Sequence, residues 1–199
     1  MSSKNITTRE RILKAAWKLL EARQAESVRM SDIAKEAGIS RQALYLHFPT
    51  RAKLLVATAR YLDEVKNVDE RLTASRTAST GVERLNAFIE AWGNYIPEIY
   101  GVAKAFLALQ DRDEAAAIAW TDRMQAVRDG CETAIKALKK DGALSPDYSP
   151  KQATDILWTM LSVRNWEQLR QQCGWSQRHY IETMKRLAGQ VLLNKPVAG

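Results

Sequence analysis

Arg41, Gln42 and Ala43 stand side by side, with Tyr45 and His47 close behind. An arginine fork matches the O6 and N7 acceptors of guanine. A glutamine amide matches the donor and acceptor on the exposed edge of adenine, and a small apolar side chain meets the thymine methyl. Such residues read base edges; they do not make or break bonds. Groups suited to catalysis are sparse. Two histidines, His47 and His179, and two cysteines, Cys131 and Cys173, lie far apart in the chain. No cluster of His, Cys, Asp or Glu has metal-ligand spacing, and there is no Gly-rich phosphate loop and no nucleophile elbow. Asp111, Asp113 and Glu114 are explained by a solvated helix start rather than by a cation site. The chain is therefore read as non-enzymatic, with no metal and no cofactor.

The elements that must position Arg41 and Gln42 lie in the stretch from Met30 to Phe48. Ile33, Ala34 and Ala37 form one narrow apolar helical face. Gly38 follows, where a helix end favours the left-handed conformation. Ser40 offers a hydroxyl to cap a second helix. In that helix Leu44 and Phe48, four apart, face inward, and Arg41, Gln42 and Tyr45 point elsewhere. Helix, tight turn and capped helix are the layout of a DNA-binding helix-turn-helix, whose second helix sets its first residues against base edges. The spacing alone fits a plain helical hairpin equally well. Charge separates the two readings. Residues 1–60 hold 12 Lys and Arg against 5 Asp and Glu, while the remaining 139 residues hold 18 of each sign, so the whole net charge of +7 sits with this motif. Basic charge segregated in this way is the footprint of phosphate binding.

Residues 6–56 resemble the N-terminal domain of the TetR/AcrR family of bacterial transcriptional regulators. The matching pieces are Ile12-Leu13-Lys14-Ala15-Ala16, Asp32-Ile33-Ala34, Ala37-Gly38-Ile39-Ser40, Leu44-Tyr45-Leu46-His47-Phe48, and Arg51 with Leu54-Leu55. Tyr-x-His-Phe after an Ala-Gly-x-Ser turn is a specific signal. The resemblance implies that His47 and Arg51 touch DNA phosphate. The family residue matching Arg51 is usually Lys, and Arg keeps its charge. The chain departs from the family at Gln24, where Gly is common, and near Val28, where Thr is frequent. Arg29 and Ser31 are the substitutes for the phosphate contact expected before the second helix. Ser40 and Tyr45 are expected to join the phosphate contacts, leaving Arg41, Gln42 and Ala43 to the bases.

A chain of 199 residues with 46% hydrophobic and 27% charged content suits a soluble protein of one or two domains with a real core. No apolar run approaches the roughly 18 residues that span a bilayer, and the N-terminus has no apolar signal region. Two distant cysteines and no export signal indicate reduced thiols in the cytoplasm. The periodicity predicts nine helices and no strand. The first starts at a Thr7-x-x-Glu10 capping box and buries Ile12, Leu13, Ala16 and Leu20. A fourth helix, 51–67, connects a head of residues 1–50 to an effector-binding and dimerisation domain of residues 51–199. The polar stretch 71–81 reads as a loop, Pro97 as a break or kink, and 150–172 as one helix. The tail from Lys195 reads as disordered.

Two further sets of residues follow. Phe88, Trp92, Tyr95, Tyr100, Phe106 and Trp120 fall at helical spacing, which usually means core. The family commonly encloses a small-molecule pocket with these helices, so the resemblance implies an effector site there, with Glu90, Asn94 and Gln110 as polar partners. The last two helices carry more apolar surface than one core needs. Ile156 and Met160, with Ile181, Met184, Leu187 and Val191, are expected to pack against a second copy. The sequence thus predicts an all-α fold, with a three-helix DNA-binding head on a six-helix regulatory domain. The predicted protein is a homodimeric repressor that binds a palindromic operator in double-stranded DNA and is released by a small molecule, with no membrane partner. The alternative is a helical ligand-binding or scaffold protein that keeps the head only for packing.

Overall fold

The computed structural model describes residues 6–23 and 26–194. Gln24 and the tail from Lys195, both singled out in the sequence, lie outside the described residues. Within those residues the chain is helical, with no strand and one isolated bridge between Leu144 and Leu193. Its packing divides it into two compact units, Met1–Lys66 with Ile99–Met124, and Asn67–Glu98 with Gln125–Gly199.

In the first unit, α1 (Thr8–Ala22) starts at a complete capping box. The Thr7 hydroxyl accepts from the Glu10 N–H at 3.1 Å, and the Glu10 carboxylate accepts from the Thr7 N–H at 2.8 Å. α1 packs against α2 (Met30–Glu36) and α4 (Arg51–Val65), and α2 packs against α3 (Arg41–His47). The turn between α2 and α3 has a clear physical cause. Gly38 takes φ +65°, its N–H donates to Lys35 O, and the Ile39 N–H donates to Ala34 O, so two orphan carbonyls of α2 are satisfied. Ser40 then caps α3 by accepting from the Ala43 N–H at 3.1 Å. Thr50 caps α4 in the same manner through Lys53.

The core of this unit collects Ile12, Ala16 and Leu20 of α1, Ile33 of α2, Leu44 of α3, Phe48, and Leu54, Leu55 and Leu62 of α4. It also takes in Val102, Phe106 and Leu109 of α7 (Gly81–Leu109) and Ala116 and Ala119 of α8 (Glu114–Lys140). The compact unit around the head is therefore larger than residues 1–50. It includes α4 and the corner where α7 turns into α8, because those segments bury side chains in the same core. Each large apolar side chain so buried contributes about 1.5–3 kcal/mol.

The second unit departs from expectation in three places. The stretch 71–81 read as a loop contains one helical turn, α6 (Thr73–Arg76), preceded by another, α5 (Val68–Arg71). α6 is held by a reciprocal pair of bonds, Arg84 Nε to Ser75 O and Ser75 Oγ to Arg84 O. The segment 150–172 is α9 (Pro150–Met160), α10 (Val163–Glu167) and a π-turn, Gln168–Gln172. It breaks because Ser162 caps a new helix through the Asn165 N–H, while the Leu161 carbonyl is taken by Trp92 Nε1 at 2.8 Å.

The third is Pro97, read as a break or kink, which lies inside α7 and does not break it. Proline lacks the N–H that would bond the carbonyl four residues back, on Gly93. That carbonyl accepts instead from Gln177 Nε2 at 2.7 Å, and Gln177 Oε1 in turn accepts from Trp166 Nε1 at 3.0 Å. Gln177 opens α11 (Gln177–Leu192), so one side chain closes the gap in α7.

α11 also corrects the predicted partner-facing set. Ile181 and Met184 are buried within the subunit, with Ile181 lying close to Gly93. Ile156, Met160, Leu187 and Val191 remain half-exposed. The apolar stripe of α11 is wide enough to fill its own core and to leave a neighbouring strip half-exposed.

Replacing Gln177 with Ala strands the buried Gly93 carbonyl and the Trp166 indole N–H together. The expected loss is about 1–3 kcal/mol of stability, seen as a lower urea midpoint at unchanged slope. An unchanged midpoint would show that Pro97 is accommodated without this bond.

Candidate nucleic-acid interface

α3 has two faces of opposite character. Leu44, with Phe48 just past the helix end, is buried, whereas Arg41, Gln42, Tyr45 and His47 are exposed and Ala43 is half-buried. Arg29, immediately before α2, and Ser31 in its first turn are exposed as well. All these candidates thus lie on the surface of one unit, as their sequence pattern requires. Arg41 lies over the Tyr45 ring, 5.6 Å from its centroid, with Nη2 3.4 Å from the Tyr45 hydroxyl. A guanidinium resting on an aromatic face is held extended at little entropic cost. The Ser40 hydroxyl spends a lone pair on the Ala43 N–H and keeps its own O–H for another acceptor. Arg9 lies over the Phe48 ring, 4.5 Å from its centroid.

Sequence reasoning missed Leu46. It is 83% exposed, two residues beyond the buried Leu44 and so on the opposite side of α3. The signal was present in that spacing, but the apolar type of the residue masked it. An exposed leucine beside Gln42 suits apolar contact rather than hydrogen bonding.

Arg51 has other partners than those expected. Its Nε donates to Val28 O at 2.6 Å, and its Nη1 pairs with Asp113 Oδ1 at 2.6 Å. Its Nη2 is buried with no hydrogen-bond partner among the described residues. Asp113 immediately precedes α8 and is not the solvated residue anticipated: its side chain is 7% exposed. It caps α8 through the Ala116 N–H, and its Oδ2 accepts from Ser27 Oγ at 2.5 Å. Burial alone would raise the Asp113 pKa, but the Arg51 guanidinium, the Ser27 hydroxyl and the Ala116 N–H outweigh it and hold the carboxyl at about 2. Nearby, Asp32 lies below the usual carboxylate range because Arg23 bonds it at 2.7 Å.

The aromatic residues assigned to an effector pocket divide between the two units. Phe106 is buried in the core of the first unit, Trp120 is packed against that core, and Tyr100 is half-buried there. Their helical spacing is accounted for by packing. Phe88, Trp92 and Tyr95 are buried in the second unit, with Trp92 and Tyr95 tilted at 59° and 6.0 Å apart. Of the polar partners considered, Glu90 is paired with Lys185. Among the described residues no group of His, Cys, Asp and Glu is placed to hold a metal ion, and no helix is long and apolar enough to cross a membrane.

Residues 12–58 match the family model for bacterial regulatory proteins of the tetR family. Over 64 residues the chain is 34% identical to the nucleoid occlusion factor SlmA of Marinomonas sp. (strain MWYL1). That match covers 32% of this chain and 32% of SlmA, so the similarity spans about a third of that relative. The fold is shared much more widely than the sequence. A protein from Rhodococcus sp., described as a TetR-family transcriptional regulator, superposes with a TM-score of 0.72 at 20% identity, covering 93% of this chain and 98% of that one. A transcriptional regulator from Saccharomonospora viridis, in complex with choline, gives 0.71 at 21% identity over 94% and 98%.

The depressed Asp113 pKa fixes a pH dependence. The folded value is below the unfolded one, so the contribution is present above about pH 4 and is lost as pH falls through about 2. Its expected size is about 2 kcal/mol. Asp113→Asn should lower stability at neutral pH by at least that amount, since it also leaves Arg51 unpaired, and flatten the acid limb of a urea-midpoint profile. A variant with the wild-type acid limb would remove Asp113 from this role.

Proposed function

We propose that this chain, whose residues 12–58 match the tetR family model, is a regulator of the TetR/AcrR type that binds a specific operator in double-stranded DNA and represses transcription until a small molecule releases it. One observation carries the reading: Arg41, Gln42, Tyr45 and His47 are exposed together on a short helix whose other side is buried, in the segment that holds the whole net charge. Arg41 and Gln42 read base edges, with Ala43 and Leu46 available to thymine methyls. Arg29, Ser31, Ser40, Tyr45 and His47 hold phosphates and set the register. A scaffold that kept the head for packing alone would have no use for this exposed set.

One short recognition helix reads too few base pairs to define a site, so the functional form is a homodimer on a palindrome, with half-sites about 34–36 Å or a multiple apart. The half-exposed Ile156 and Met160 of α9 and Leu187 and Val191 of α11 supply the two-fold contact. The effector is held by the second unit, where Phe88, Trp92 and Tyr95 supply aromatic surface. Release requires that the effector bind the DNA-free form better than the bound one. The protein acts in the cytoplasm, without a catalytic step.

Operator fragments selected from genomic DNA give the tests. Arg41→Ala should cost about 1–3 kcal/mol and relax preference at one base pair. Unchanged preference would move the readout elsewhere. Leu187→Glu with Val191→Glu should halve the sedimenting mass from twice 22.5 kDa and abolish operator binding, since charge buried at an interface is costly. A variant that stays dimeric would place the interface on another face.

A further inference from the structure

Arg51 is the first residue of α4 and lies four residues beyond His47, the last of the recognition helix. A cation there is within reach of the backbone of any duplex seated on α3. Its guanidinium is nevertheless directed inward. The Nε is bonded to Val28 O, Nη1 is paired with Asp113, and Nη2 is buried. The acceptor is built independently of Arg51, because Asp113 is also fixed by the Ala116 N–H and the Ser27 hydroxyl. Asp113 belongs to the corner between α7 and α8, whereas Ser27, Val28 and Arg51 belong to the head.

We infer that Asp113 is a positioning residue for DNA binding, which withholds Arg51 from phosphate and so sets the number of backbone contacts the head makes. The inference rests on the DNA-binding reading above. A guanidinium has two bidentate edges to offer a carboxylate or a phosphate, Nη1 with Nη2 and Nε with Nη2; here each has one nitrogen already bonded, and both share the buried Nη2. With Nη1 committed to Asp113 and Nη2 desolvated, Arg51 must leave the carboxylate to meet a phosphate oxygen. The α7–α8 corner is therefore coupled to the head by an ion pair as well as by packing. A displacement of the corner that separates Asp113 from Arg51 adds one phosphate contact, and closure of the pair removes it.

The test uses the full chain and a fluorescein-labelled duplex of mixed sequence, titrated over a range of salt. Neutralising one more phosphate steepens the log–log dependence of affinity on salt by about one. Asp113→Asn keeps the α8 cap and loses the charge. It should show that steeper slope and bind more tightly at low salt. Adding Arg51→Ala to Asp113→Asn should cancel the gain, because the released guanidinium is its source. Asp113→Ser, which also retains a cap oxygen, provides a second variant, and thermal melting reports whether each is folded. A wild-type slope in folded Asp113→Asn and Asp113→Ser overturns the inference. A gain that survives Arg51→Ala overturns it too, since the effect would then be loss of a negative charge near DNA. Failure of the wild type to bind the duplex at all would be seen before any variant is compared, and would sink the DNA-binding reading itself.

Discussion

A seven-residue helix is not stable alone in water, because nucleation costs more than so few hydrogen bonds return. α3 is such a helix. It exists because Leu44 and, at its end, Phe48 are buried in the core formed with α1, α2 and α4, and because Ser40 and the left-handed Gly38 fix its start. What α3 presents follows from that anchoring. Once Leu44 faces inward, the helical period turns Gln42 and Leu46 outward, with Arg41 and Tyr45 on the flank where one stacks on the other. A change that loosened Leu44 would scatter the exposed set as well as cost stability.

Asp113 shows how one carboxylate serves several demands. It caps a 27-residue helix, accepts a hydrogen bond from the Ser27 hydroxyl and neutralises an arginine whose Nε is already spent on a backbone carbonyl. A buried charge is costly unless paired and fully bonded, and breaking such a pair from one side costs more than the pair itself contributes. The arrangement suits a contact that must hold the head to the α7–α8 corner and yet be open to competition from another anion.

Much of the first unit was legible in the sequence, since its determinants are local. Capping boxes, a Gly at a helix end and apolar residues three and four apart act over a few residues and leave plain signatures, as at Thr7, Gly38 and Ser40. The misreadings share the opposite cause. Arg51 and Asp113 are 62 positions apart, and nothing near either residue announces the other. Ile181 and Met184 read as surplus apolar surface because period alone does not say which of two neighbouring stripes meets the subunit's own core. Phe106 and Trp120 have the spacing of a ligand pocket and are packed with the core of the first unit, which spacing alone does not reveal. The breaks at Ser162 and the continuity through Pro97 were decided by side chains of distant helices, Trp92 and Gln177.

That last contact bears on the order in which the chain assembles. α7 is the longest helix, yet the acceptor exposed by its internal proline is satisfied from a residue 84 positions away. Until α11 has been synthesised and docked, the middle of α7 carries an open carbonyl. Closing so large a loop is slow relative to helix growth. Satisfaction of the Gly93 carbonyl is accordingly a late event, since it waits for a side chain of α11 to reach it.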